Sequence, residues 1–243
     1  MDSGLLAAKD VAEFVALFNG IYSGKLKKYY NYSRVVQLAW LYQCLVKHKL
    51  TLFDNVAVVS GSNNEPELKL FTYNNLDVLN YSDDKKYDLD IEWDAVNSLY
   101  DLTICNQVFE HVFNPEQAFE NLARITKSDG YIFISIPSIN CVHGEPYFYS
   151  SGYHPRFLTR LANPDLFRIV DAGQWGSVKY MLHTVLGYWP TYNTLGRGYH
   201  KTADLCLPHL MLVDGRNQND LLSKALFNSK EIITDCWILL KKI

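Results

Sequence analysis

Residues 101–137 begin Asp101-Leu-Thr-Ile-Cys-Asn-Gln-Val-Phe-Glu-His-Val112 and end Asp129-Gly-Tyr-Ile-Phe-Ile-Ser-Ile-Pro137. Residues 102–105 and 131–136 are short, largely apolar runs, the pattern of buried strands. Between them Phe119, Leu122, Ala123 and Ile125 recur at helical spacing over 115–127. Asp129-Gly130 turns the chain into the second run. Pro137, which has no N–H to offer a ladder, stops it. The order is strand, helix, strand. In such units ligands bind where the strands' carboxyl ends meet the following loops. Asn106-Gln107 and Glu110-His111 fall at that end of the first strand.

Outward from this unit the same alternation continues. Residues 56–59, 76–79 and 87–89 read as three earlier strands, and Asn64-Glu-Pro-Glu67 starts a short helix to about residue 71. After the unit, 155–162 and 178–186 read as helices, and 167–170 and 232–240 as strands. Two helices precede it, at 5–18 and 33–49, the first with Ser3 as N-cap and Gly20 as stop. Val35, Leu38, Ala39, Tyr42, Leu45 and Val46 share one face of the second. The Tyr- and Lys-rich connector at 22–32 reads as a solvated basic loop. Alternating strand and helix predicts an α/β domain with a mostly parallel sheet. The 243 residues show no linker or internal repeat. One domain spans 1–243, with 1–50 as a helical appendage and 172–230 as an insertion or cap.

Composition narrows the function. A net charge of −3 gives no basic footprint, so nucleic-acid binding has no electrostatic support. No apolar run reaches 18 residues and no basic leader opens the chain, so no membrane span or export is expected. The five cysteines form no CxxC pair, which predicts reduced thiols in a cytoplasmic protein. His/Asp/Glu spacing suggests no metal site. The chain has no G-x-S-x-G elbow for a hydrolase and no G-x-G-x-x-G for a dinucleotide.

The candidate binding residues lie at strand ends. Ser60-Gly61-Ser62 is a tight turn whose backbone N–H groups suit an anion. Asn80 ends the second strand and can bond a hydroxyl. Asp88 and Asp90 close the third, on one face of an extended segment. Asn106 and Gln107 close the fourth. The loop after residue 137 carries His143, Tyr149, Tyr153, His154 and Arg156 over the sheet's end, where a substrate would lie. His111, His143 and His154 are the candidate bases.

Taken together, these residues resemble the class I S-adenosylmethionine-dependent methyltransferases, over about 54–171 plus the terminal strand. The similarity rests on Tyr100-Asp-Leu-Thr-Ile-Cys-Asn-Gln-Val-Phe-Glu-His-Val-Phe-Asn-Pro115, on Lys127-Ser-Asp-Gly130, on the strand that follows, and on Ile233-Thr-Asp-Cys-Trp237. The His143…Tyr153-His154-Pro155 region resembles branches acting on sugars, lipids or other small metabolites. The resemblance implies a Rossmann-like sheet of seven strands, mostly parallel with an antiparallel last strand, and S-adenosylmethionine as cofactor. It implies Ser60, Gly61 and Ser62 near the methionine end, Asn80 near ribose, Asp88 or Asp90 near adenine, and Asn106-Gln107 near the sulfonium. Tyr149, Tyr153 and Arg156 would meet a small-molecule acceptor with a hydroxyl or amine to methylate. A homo-oligomer stays open. The chain departs from the family in having one glycine in the first loop and Asn80 where an acid is usual, a pattern also expected of a binding or scaffold protein that kept the fold and lost the chemistry.

Overall fold

The computed structural model describes residues 8–24, 30–94, 99–144, 146–176, 180–181 and 233–243. In chain order its main elements are α1 (Ala8–Phe18), α2 (Tyr32–His48), β1 (Leu52–Val59), β2 (Thr72–Leu79), β3 (Tyr100–Asn106), α3 (Pro115–Ile125), β4 (Thr126–Pro137), α4 (Pro155–Leu161), β5 (Phe167–Trp175) and β6 (Asp235–Lys242). The described strands form one sheet in the order β2-β1-β3-β4-β6-β5. The first four are parallel, and β6 runs antiparallel to both β4 and β5. All carboxyl ends of the parallel strands therefore meet at one edge.

The sheet has six strands where seven were expected. Residues 87–89 are no strand: Lys85–Tyr87 is a 3-10 turn capped by Asp84, whose side chain accepts from Lys86 N. Asp88 Oδ1 accepts from Asp90 N at 2.9 Å, and Asp88 O from Trp93 Nε1 at 2.6 Å. Local bonds of this kind to Asp compete with a ladder and win here. β2 is consequently an edge, and its exposed Asn74, Asn75 and Asp77 keep it polar.

The crossover from β1 to β2 is short as well. The helix expected to about residue 71 is a single 3-10 turn, Pro66–Lys69. The face it leaves uncovered is taken by α2, whose Val35, Leu38, Ala39 and Leu45 pack with Val56, Val58, Ile104 and Phe133 of the sheet. The N-terminal helices expected as an appendage thus supply a layer of this core, while Val46 is 52% exposed and lies off it. Tyr22 and Tyr32, read from sequence as solvated, are buried in the same layer; Tyr32 packs on Trp175. Residues 25–29 of that connector lie outside the described residues. On the opposite face α3 and α4 cover Ala57, Cys105, Ile132 and Ile134.

β5 runs to Trp175, so the first four residues of the expected 172–230 cap belong to the sheet. Apart from residues 176, 180 and 181, the rest of that segment, including nearly all of the helix expected at 178–186, falls outside the described residues, as does Ser3. Of the cysteines, Cys44, Cys105 and Cys236 are buried free thiols and Cys141 is exposed. No helix among the described residues is long and apolar enough to cross a membrane.

Candidate active site

At the carboxyl ends of β1 and β3 two non-glycine residues adopt left-handed backbone, Ser60 with φ 52° and Gln107 with φ 53°. Such conformations cost on the order of 1 kcal/mol each and persist where surrounding structure holds them. Here the neighbouring strands do so: Ser60 N donates to Leu79 O at 3.0 Å, and Gln107 N to Ser135 O at 2.8 Å. The two turns thereby open a gap between them.

Three cavities occupy this edge of the sheet, and Gln107 lines all three. The first, about 360 Å³, is a cleft bounded by Ser60, Tyr81, Tyr87, Asp88, Asp90 and Gln107 that reaches His111 and Tyr149. The second, about 340 Å³, is polar, with Arg34, Gln37, Glu65, Asn106, Gln107 and Asp235 on its walls. The third, about 410 Å³, is more apolar, with Pro137, Ile139, Tyr180 and Met181 facing Glu110 and His143.

The wall carrying Asp88 and Asp90 is pinned from behind. Asn121 of α3, fully buried, donates from Nδ2 to Leu89 O and Ile91 O, and its Oδ1 accepts from Trp93 N. Asp90 Oδ1 accepts from Asn114 N at 2.7 Å. Both aspartates line the cleft, so the structure brings them together without separating their roles.

The turn after β1 is tight. A Cβ on Gly61 would stand 2.6 Å from Val58 Cγ1, closer than real Cβ contacts come, so only glycine fits. Asn80 braces that turn, donating from Nδ2 to Gly61 O at 3.0 Å, and Ser62 turns back to Glu65. Gly61, Ser62 and Asn80 therefore stand behind the cavities, while Ser60, Asp88, Asp90, Asn106 and Gln107 face them.

The polar cavity was not foreseen. Arg34 of α2 lies 3.1 Å from Glu65 and 2.9 Å from Glu67. Glu67 is wholly buried and also accepts from Gln37 Nε2. Burial pushes its carboxyl up, and Arg34 pulls against that. Asp235 accepts from Ser33 Oγ and Gln107 Nε2. Burial raises it to about 6 despite those donors.

Beyond β3 the 3-10 turn Phe109–His111 sends Glu110 inward and His111 to the cleft. The loop after β4 is clamped over it by Tyr149 N and Ser150 N, which both donate to Glu110 O. His111 Nδ1 meets Tyr147 O at 2.5 Å and His143 Nδ1 meets Cys141 O at 2.8 Å. A carbonyl can only accept, so both Nδ1 atoms carry a proton and donate it, leaving each Nε2 turned away from these contacts. The rings meet edge to face, centroids 4.8 Å apart.

His154, Tyr153 and Arg156 line none of these cavities. His154 caps α4, accepting from Arg156 N at 3.2 Å, and burial together with the Arg156 charge lowers its pKa. Tyr153 donates to Phe109 O and stacks on Phe157. These three shape the loop from outside the site. Arg34 and Asp235 are the site residues that sequence reasoning missed, and Glu110 was placed at the strand end without a role.

The model of a family described as "Methyltransferase domain" matches residues 36–183. The chain belongs to this family. Solved structures similar to this methyltransferase domain include the cyclase SpnF, at 12% identity over 96% of this chain and 93% of that one, with a TM-score of 0.45. The N-methyltransferase NodS from Bradyrhizobium japonicum WM9, in complex with S-adenosyl-L-homocysteine, is 10% identical over 87% of this chain and 88% of that one, with a TM-score of 0.46. Coclaurine N-methyltransferase bound to N-methylheliamine and S-adenosylhomocysteine is 13% identical over 96% and 87%, with a TM-score of 0.43. No curated protein matches the chain in sequence.

Proposed function

We propose that this methyltransferase domain moves a methyl group from S-adenosylmethionine to a small molecule bearing a hydroxyl or amine. One observation carries the reading: a nucleoside-sized cleft, a charged cavity and a more apolar cavity meet at Gln107, on the strand end where this sheet type binds ligands.

The residues present fit the cofactor. Asn106 Nδ2, on the wall of the charged cavity, is a buried polar atom with no hydrogen-bond partner among the described residues. Such atoms are costly unless something fills them. Asp88 and Asp90 each commit one oxygen to a backbone N–H and keep the other for an exocyclic amine. Arg34 suits a carboxylate, and Glu65 and Asp235 suit an ammonium. S-adenosylmethionine supplies an electrophilic methyl on a sulfonium. The chain's own residues would orient the acceptor in the 410 Å³ cavity, against the apolar side chains of Ile139, Tyr180 and Met181. His143 lines that cavity and His111 the adjoining cleft, and these are the two candidate bases for its proton. Free thiols at Cys44, Cys105 and Cys236 suit a reducing, cytoplasmic setting.

Titration calorimetry tests this. Wild-type protein is expected to bind S-adenosylmethionine and not NAD⁺. Of Asp88→Ala and Asp90→Ala, the one removing the adenine contact should weaken binding by about 1–3 kcal/mol. A folded protein that takes up no cofactor to millimolar concentration would instead be a scaffold.

A further inference from the structure

We propose that Glu110, His111 and His143 form a binding site for a divalent first-row transition-metal ion where the cleft and the apolar cavity adjoin. Glu110 Oε, and one ring nitrogen of each histidine, all lie within 4.8 Å of one another. His111 Nε2 is 3.9 Å from Glu110 Oε1. Two imidazoles with one carboxylate are a donor set suited to zinc, manganese, iron or cobalt, with positions left open for other ligands.

Three independent features point to an ion rather than to a chance cluster. Glu110 is 1% exposed and neither of its oxygens has a hydrogen-bond partner among the described residues. A buried carboxylate without a partner is costly, and a cation at this point would offset that cost. Next, both histidines already make the outer contact typical of metal ligands: each Nδ1–H is held by a backbone carbonyl, which fixes the tautomer and presents Nε2. Last, His111 is held in place by its surroundings. Gly144, at φ 69°, passes so close that a Cβ would stand 2.9 Å from His111 Cε1, and Phe148 packs against both imidazoles.

Tetrahedral zinc, with bonds of about 2.0–2.1 Å, holds its ligands roughly 3.4 Å apart. Closing from the present separations needs a small movement, and His143, exposed on its loop, can supply it. A second cluster, Cys44, His48 and Asp171, is of similar size. There the carboxylate is already answered, by Lys47 Nζ at 3.4 Å and by Ala172 N at 2.9 Å. It makes the natural control. The site stands whether or not the chain transfers methyl groups, because its test contains no cofactor.

Tag-free, chelator-treated full-length protein is titrated with CoCl2 followed by visible absorption, and with ZnCl2 by calorimetry. The expected result is one equivalent bound at micromolar affinity or tighter, with a cobalt d–d band and a raised thermal midpoint. Glu110→Gln keeps the shape of the side chain and should weaken binding at least tenfold. His143→Ala, on the exposed loop, should do the same with an unchanged circular dichroism spectrum. His48→Ala should bind as wild type does. No saturable binding by folded wild type, full binding by His143→Ala, or loss confined to His48→Ala would each overturn the site.

Discussion

Two buried glutamates flank the carboxyl end of this sheet, and the walls around them are built differently. Glu67, at 0% exposure, sits between Arg34 and Gln37, which reach it from α2. Glu110, at 1%, has no such neighbours. The first wall replaces the missing β1–β2 helix: the short 3-10 turn stays in place because its acids are anchored to α2. The second wall is left chemically unfinished. A carboxylate satisfied by its own protein holds structure, whereas an unsatisfied one in a cleft is available to a ligand, an ion or a proton.

This contrast is broken most readily at Glu67. Glu67→Ala leaves the Arg34 guanidinium, with 14% side-chain exposure, bonded to one carboxylate, Glu65, and to the neutral Gln37. Removing one partner of a buried pair costs about 3–5 kcal/mol, and the partial exposure of Glu65 puts the expectation at the lower end. Denaturant unfolding measures it. A loss below about 1 kcal/mol would mean that the wall does not depend on this network.

Glu110 should behave in the opposite sense, and pH reveals it. Burial lifts its carboxyl from 4.5 to about 7, so the folded chain keeps a proton that the unfolded chain gives up. Stability is therefore greatest below the unfolded value and declines as pH climbs through about 4.5 to 7, by about 3 kcal/mol in all. Asp235, raised to about 6, adds a decline of the same sign. In chelator, Glu110→Gln should lose the Glu110 part of the decline and keep the rest, to which the buried carboxyls of Asp235, Glu67 and Asp171 contribute with the same sign. Parallel stability profiles for the two proteins would remove the contrast between the walls.

The smallest effect belongs to a residue outside both walls. His154→Ala loses the bond at the start of α4, worth about 0.5–1 kcal/mol, and should leave cofactor affinity where it was. A tenfold weakening would restore His154 to the site.

What could be read from the sequence follows physical range. The β3–α3–β4 unit was legible because buried strands and an amphipathic helix write their period locally. Gln107 lines the cavities from the end of β3, as a strand end in this architecture should, whereas Asp88 and Asp90 reach the cleft from a turn and not from the strand end expected for them. The false third strand came from Tyr87 and Leu89, whose apolar character stood out while Asp84 and Asp88 were bending the backbone. Tyr22 and Tyr32 looked solvated beside lysines, yet Tyr22 buries its ring and spends its hydroxyl on Pro66 O. Arg34 meets acids 31 and 33 residues away, and Glu110 meets His143 at a similar remove. Neither pairing has a spacing that a motif could express, because the sheet brings the partners together.

The most direct test of the account is a crystal structure of the protein soaked with S-adenosylhomocysteine. Density running from Asp88 and Asp90, past Gln107, to Arg34 is the predicted result. Well-ordered crystals with that cleft closed by the protein's own side chains, or with the nucleoside bound elsewhere, would contradict it.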